Sequence, residues 1–342
     1  MKDSIHQAIL SFTDSERFEQ EAVIQMLWSG YGEILRLRCI YPENHESKTF
    51  IAKYVSLPDV TNHPRGWDTD ISHQRKVRSY QVESHWYQHF AKYCDEQCKV
   101  PTCVGALEDG QEFVMVLEDL DAAGFSKRLT RAGEKDIAVC VQWLANFHAQ
   151  FLKDQFAVKG VNPADASFLH GLWPVGTYWH LQTRPDEFDA LPNGDLKRFA
   201  STIDKALSSC RWQTIVHGDA KLANFCFSDD GKRVAAVDFQ YVGGSCGMKD
   251  LACFISSCLT EEECENNESE ILNLYFDSLR LALIRLNKNI PFDALETEWR
   301  TMYKYAWADF YRFLQGWSPG HWKMHAYSEK MVAQTIKQLK KA

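Results

Sequence analysis

The stretch "IVHGDAKLANFCF" at residues 215–227 sets the tightest limit on what this chain can become. Two short apolar segments, Ile215-Val216 and Phe225-Cys226-Phe227, read as strands, and His217, Asp219, Lys221 and Asn224 fall in the turn between them. Charge in a tight turn between buried strands costs stability unless each group has a partner. A fold gains little from such a turn, and a reaction can gain much. The spacing H-x-D-x-x-x-x-N arises by chance on the order of once in ten thousand positions at average residue usage. Nineteen residues after Asp219, the apolar run "AAVDF" ends abruptly in a second acid, Asp238.

Two strands that each deliver a carboxylate to the same end of a small sheet suit phosphoryl transfer. Asp219 would accept the proton of an attacking hydroxyl, while Asp238 and the amide oxygen of Asn224 hold Mg2+ on nucleotide phosphates. Mg2+ takes few protein oxygens and keeps waters, so one carboxylate and one amide suffice.

The bulk numbers narrow the partners. A chain of 342 residues can bury one large core or two unequal ones, and 45% hydrophobic with 25% charged residues is ordinary globular composition. A net charge of −8 argues against nucleic acid and is compatible with cationic or neutral ligands. The eleven cysteines include no C-x-x-C pair. The closest spacings, Cys94/Cys98 and Cys253/Cys258, fit one face of a helix better than a metal site. The start "MKDSIHQAILSFTDSERF" lacks the basic-then-apolar order of a signal peptide, and no apolar run reaches the length of a membrane span. These features predict a cytoplasmic protein without a membrane partner, as monomer or homodimer.

Along the chain, "GEILRLRCIY" (32–41) and "TFIAKYVSL" (49–57) alternate like a hairpin pair, and "EFVMVLEDL" (112–120) reads as a further strand. "SYQVESHWYQHFAKY" (79–93), "EKDIAVCVQWLANFHAQF" (134–151) and "ALETEWRTMYKYAWADFYRFLQGW" (294–317) carry helical periodicity, the last stopping at Gly316. "SEILNLYFDSLRLALIRL" (269–286) reads as a buried helix. Residues 153–200 read as loops and short helices. Asp250 opens a helix and reads as an N-cap that also steadies the turn at 217–224, and His217 as a brace beneath Asp219.

On "HGDAKLANF", "VDFQ" and "DLACFI" the sequence resembles the protein-kinase-like superfamily, in its aminoglycoside phosphotransferase and choline kinase branch, and looks most like the ecdysteroid-kinase-like group. The resemblance implies an α+β, two-lobed fold. Residues 1–120 would form a small nucleotide-binding lobe with an antiparallel sheet plus a helix, and 121–342 a larger, mainly helical lobe with the catalytic loop and acceptor site. It further implies ATP as phosphoryl donor and Mg2+ on Asn224 and Asp238. Lys53 in "FIAKYV" would contact the phosphates, oriented by Glu83, and the backbone of Leu117, Glu118, Asp119 and Leu120 would meet the adenine. Gly30 and Gly32 in "LWSGYGEILRL" would cover the phosphates, and Asp219 would be the base. Lys221 departs from the group, which usually carries tryptophan there. It either neutralises charge on the transferred phosphoryl group or is a solvated lysine.

Only nine residues, "YVGGSCGMK" (241–249), separate Gln240 from the helix at Asp250, too few for the activation segment of a protein kinase. The acceptor is therefore expected to be a hydroxylated small molecule. Gln240 stands where choline kinases typically carry an acid, which weakens the case for a quaternary ammonium. Trp299, Tyr303, Trp307 and Phe310 share one face of the helix 294–317, either as core or as an aromatic wall for a cation. Trp307, Asp309 and Arg312 are candidate acceptor contacts. A metal-dependent hydrolase on His217 and Asp219 would want further clustered ligands, and the other histidines are isolated from the turn. A nucleotide-binding kinase fold without turnover stays open, although Lys53, Asp219, Asn224 and Asp238 are all present.

Overall fold

Alternation of side chains along the strands of the first third decides which residues face the site. The structure, a computed structural model, describes residues 1–27, 30–41, 47–57, 70–154 and 168–341. Its first elements are α1 (Asp3–Thr13), β1 (Arg17–Met26), β2 (Gly32–Ile40), β3 (Ser47–Ser56), α2 (Asp70–His89), β4 (Cys103–Asp109) and β5 (Glu112–Glu118). The strands form one antiparallel sheet in the order β1-β2-β3-β5-β4. The expected hairpin is present, with Gly32 opposite Val55 and Ile40 opposite Ser47. Leu35, Leu37, Ala52, Tyr54, Val114 and Val116 share a face and pack on Ile5 and Ile9 of α1. Lys53 lies between Ala52 and Tyr54, so the period of two turns it to the opposite face. There its cross-strand partner Met115 packs in a cluster with Val82 and Trp86 of α2.

The rest of the chain is mainly helical. It contains α3 (Glu134–Phe151), β6 (Lys153–Asp154), α4 (Pro185–Asp189), α5 (Asp195–Ser208), β7 (Trp212–Val216), β8 (Phe225–Phe227), β9 (Val234–Ala236) and β10 (Gly243–Ser245). It closes with α6 (Met248–Cys258), α7 (Glu261–Arg285), α8 (Phe292–Trp317) and α9 (Ala326–Leu339). This is the α+β kinase-like arrangement expected from the sequence. Among the described residues no helix is long and apolar enough to cross a membrane.

Four expectations need correction. The strands that lead to Asp219 and Asp238 are not neighbours: β7 pairs with β10 and β6, whereas β9 pairs with β8. Helix α7 is buried along one face through Tyr275 and Leu279, but Leu281 and Ile284 are 67% and 70% exposed. It also starts earlier than its apolar pattern, at a capping box in which Thr260 and Glu263 bond each other's backbone N–H groups. Helix α8 runs through Gly316 to Trp317. A Cβ at Gly316 would lie 1.8 Å from the carbonyl oxygen of Glu187, so this glycine permits a close approach of α4 instead of ending the helix. Asp250 is not an N-cap; it lies inside α6, whose N-cap is Gly247.

Phe239 ties these layers together beneath the site. Its ring stacks on Trp86 of α2 at 4.8 Å and meets Phe147 of α3 at 5.9 Å and His217 at 4.5 Å. The residue after Asp238 thus anchors that aspartate to both parts of the chain.

Candidate active site

Strand β7 ends at Val216, and the backbone then turns sharply at Gly218, where φ is +80°. A side chain there would strike the carbonyl of Tyr241, its Cβ 2.1 Å from the oxygen, so only glycine fits. The turn's free amides are taken up by Asp250, which is fully buried and accepts from the backbone N–H of His217 at 2.6 Å and of Gly218 at 2.9 Å. His148 Nε2 meets the same carboxylate at 3.1 Å. The His217 ring braces the loop from inside: Nε2 donates to the carbonyl of Val237 at 2.9 Å, and Nδ1 accepts from the N–H of Asp219 at 3.2 Å. The carbonyl of Asn224 accepts from the N–H of Val237 at 3.0 Å. These bonds hold the loop against the segment that ends in Asp238.

Asp219 is largely buried, and its carboxylate pairs with Lys221 Nζ at 2.7 Å. Burial opposes the charge on Lys221, but Asp219 and Asp238 outweigh it and hold the ammonium above the ordinary lysine range. Asn224 Nδ2 donates to the Asp219 carbonyl at 2.8 Å. Its nitrogen being engaged, the amide oxygen is the atom left for a cation.

Lys53 joins the second set. Its Nζ lies 2.6 Å from Glu83 and 3.1 Å from Asp238. Burial pulls the Lys53 pKa down, yet the two carboxylates carry it above the usual value, so the amine stays charged. Asp238 has φ of +69°, a left-handed conformation that costs a non-glycine residue energy and concentrates at functional positions. Burial opposes its ionisation as well, and the ammoniums of Lys53, Lys221 and Lys76 together hold it well below the ordinary carboxylate range. A permanently ionised carboxylate beside a free amide oxygen is a donor set of the hard, sparse kind that Mg2+ prefers, so these residues fit that metal. No group of three or more His, Cys, Asp or Glu side chains suited to a metal occurs among the described residues.

The sequence reading missed Lys76. Its Nζ donates to Gln240 Oε1 at 3.0 Å and stands 4.7 Å from the centre of the Tyr80 ring. Lys76 and Glu83 are seven apart on α2, hence on one face, and that spacing was the available signal. Burial, then repulsion from Lys53, pulls Lys76 down to about 8. The unfolded lysine, at its ordinary value, binds more protons than the folded one, so this group contributes a stability that rises from pH 8 upward. Phosphates beside it would restore its proton. Mg-ATP binding between pH 8 and 9 is therefore expected to draw protons from the buffer. Calorimetry in two buffers of different ionisation enthalpy reads this uptake, which Lys76→Met should abolish; uptake unchanged in the variant would place Lys76 away from the phosphates.

The remaining sequence candidates divide. Gly30 lies between β1 and β2 and Gly32 opens β2, with φ of +73° and +135°. A Cβ at Gly32 would lie 2.1 Å from the carbonyl oxygen of Tyr54, and Trp28 and Ser29 lie outside the described residues. Leu117 and Glu118 end β5 and lead into Asp119 and Leu120. The N–H of Glu118 donates to Thr102 at 2.8 Å, and its side chain pairs with Lys99 at 3.0 Å. Asp119 accepts from Arg36 at 2.9 Å. Trp307, Asp309 and Arg312 do not line an open site. Each is 1% exposed; Trp307 packs edge-on against Tyr303 and Tyr327. Asp309 bonds Arg312 at 2.8 Å, Lys249 at 3.2 Å and Trp179 Nε1 at 2.9 Å. A small acceptor would have to displace core partners to reach any of them.

The profile of the Ecdysteroid kinase-like family matches residues 179–288, a segment that holds Asp219, Asn224, Asp238 and Asp250. Over that segment the chain is similar to the ecdysteroid kinase-like family. The described fold extends the likeness beyond it. Choline kinase from Cryptosporidium parvum superposes with a TM-score of 0.51 at 9% identity, covering 99% of this chain and 96% of that one. An ethanolamine kinase of Plasmodium vivax gives 0.49 at 11% identity, covering 97% and 86%. An aminoglycoside phosphotransferase from Streptomyces rimosus, solved with ADP and streptomycin, gives 0.41 at 12% identity, covering 86% and 99%. No curated protein matches the sequence. Lys53 and Glu83 lie outside the ecdysteroid kinase-like segment; it is the fold that brings them to its Asp238.

Proposed function

We propose that the protein is an ATP- and Mg2+-dependent phosphotransferase that phosphorylates a hydroxyl of a small molecule. The observation that carries this reading is the ion pairing of Lys53 with both Glu83 and Asp238, across 30 and 185 residues of sequence, beside a loop that presents Asp219 and Asn224. ATP lies between residues 1–120 and 121–342, its adenine along the backbone of Leu117–Leu120. Lys53 holds the phosphates and Glu83 orients it. Asp238 and Asn224 would hold Mg2+, which supplies charge neutralisation on the phosphates. Asp219 accepts the proton of the acceptor hydroxyl, and Lys221 offsets charge gathering on the transferred group. Positioning and charge neutralisation provide most of the acceleration, because the transition state asks little covalent chemistry of the protein.

The short segment after Gln240 favours a small acceptor. Residues Gly243–Ser245 form β10, pinned to β7, and α6 starts at Met248, so no peptide platform intervenes. The test is ADP release from Mg-ATP in the presence of a panel of small alcohols. At least one alcohol should raise the rate well above the hydrolysis background and yield a phosphate monoester detectable by mass. Mg-ATP binding without product from any alcohol would favour the nucleotide-binding, non-catalytic alternative.

A further inference from the structure

The charges around Asp219 differ from those of the chain as a whole. Lys53 and Lys221 are each paired with a carboxylate, as above. Lys323, in the turn between α8 and α9, is not: among the described residues it has no carboxylate partner, and its Nζ stands 5.3 Å from the centre of the Phe310 ring and 5.6 Å from that of Trp322. Phe310 leads back to the catalytic loop. Its ring lies 6.3 Å from that of Tyr178, edge to face, and the N–H of Tyr178 donates to the carbonyl of Gly218 at 3.1 Å, next to Asp219. Phe313 adds a further edge-to-face contact with Tyr178 at 5.4 Å. Tyr178 and Lys323 are both partly exposed, and Trp322 is open to solvent. Phe310 and Phe313 are buried, so the ring of this group open to a ligand is that of Tyr178, with the loop of Asp219 on one side and the unpaired Lys323 ammonium beyond Phe310 on the other. Burial pulls the Lys323 pKa down, and Asp219 and Lys221 both lie within its electrostatic reach.

We infer that Lys323 selects the acceptor, an alcohol with an apolar body and a carboxylate, laid along Tyr178 with its hydroxyl at Asp219 and its carboxylate at Lys323. A partly desolvated cation without a partner is costly and gains most from an anion. Arg184 also stands at this group, its Nε donating to the Tyr178 carbonyl at 2.8 Å, but it is already paired with Glu187 at 3.1 Å, so Lys323 is the cation left for the carboxylate. The same ammonium repels a substrate that carries a cation at that end. The net charge of −8, compatible with cationic ligands, is thus overruled locally.

This inference rests on the phosphotransferase reading, and the test separates the two. The probes are 4-(hydroxymethyl)benzoate, its carboxamide and its aminomethyl analogue, which share a shape and differ in charge at one end. Thermal unfolding is followed with Mg-ATP alone and with each probe, and ADP release is read in parallel. The benzoate should raise the unfolding midpoint most and give the highest rate. Lys323→Met, which keeps the apolar stem, should weaken the benzoate about tenfold and leave the carboxamide and the Mg-ATP shift unchanged. Equal responses, a preference for the amine, no response to the benzoate, or a Lys323→Met variant that binds it normally, each with the Mg-ATP shift intact, would overturn the inference alone. Absence of any Mg-ATP shift would overturn the phosphotransferase reading beneath it.

Discussion

Asp219→Asn is expected to lower turnover by roughly 10²–10⁴-fold, the range for loss of a general base, while Mg-ATP binds as in the wild type. Asparagine keeps the volume of the side chain in a largely buried position, and the Asn224 bond to the Asp219 backbone carbonyl is untouched. Lys221 loses its partner but is 42% exposed and stays solvated. The nucleotide contacts proposed for Lys53, Glu83 and Asp238 form a separate set, so affinity and chemistry should part company in this variant. Single-turnover rates with saturating Mg-ATP measure the one, and equilibrium binding the other. Normal turnover by Asp219→Asn would remove Asp219 from the role of base.

Asp250→Ala is expected to cost about 3–5 kcal/mol of stability, the scale set by leaving two buried backbone donors and a buried histidine without their acceptor. The carboxylate receives the N–H groups of His217 and Gly218 at 2.6 and 2.9 Å and meets His148 at 3.1 Å, all inside the core. Asp250→Asn should recover only part of the loss, because its one amide oxygen cannot serve every donor and its NH2 faces other N–H groups. Urea unfolding monitored by tryptophan fluorescence gives the difference directly. A loss below about 1 kcal/mol would mean that the loop holds its shape by other means.

Several of these features were legible in the sequence, for physical reasons. Helix α3 was read with its true ends, 134–151, because its apolar residues recur at helical spacing behind a capping carboxylate, Asp136, that bonds the N–H of Gly133. The β2–β3 hairpin was legible because Leu35, Leu37, Ala52 and Tyr54 fall at alternate positions and pack on one face. Strand β1 was missed because "RFEQEAVIQM" lies at the sheet edge and leaves nearly every side chain in solvent, so no alternation is imposed on it. Gly316 was misread because glycine marks either a helix end or a close backbone approach, and only the position of Glu187 decides which. Asp309 and Arg312 read as contacts because charge on a helix usually means exposure or function; here Lys249 and Trp179, distant in sequence, turn them into a buried ion group. Lys323 was invisible for the same reason in reverse: nothing local shows that a lysine in a turn near the chain's end comes within reach of Asp219, 104 residues away.

Thermal unfolding with and without Mg-ATP, on the wild type and on Asp238→Ala, is the most direct measurement of a metal-nucleotide site built on Lys53, Asn224 and Asp238. A ligand that binds only the folded state stabilises it, by about 2.7 kcal/mol at a hundred times its dissociation constant. The account predicts an upward shift of the midpoint that requires both ATP and Mg2+ and disappears in Asp238→Ala. No shift in the folded wild type, or an equal shift in Asp238→Ala, would contradict it.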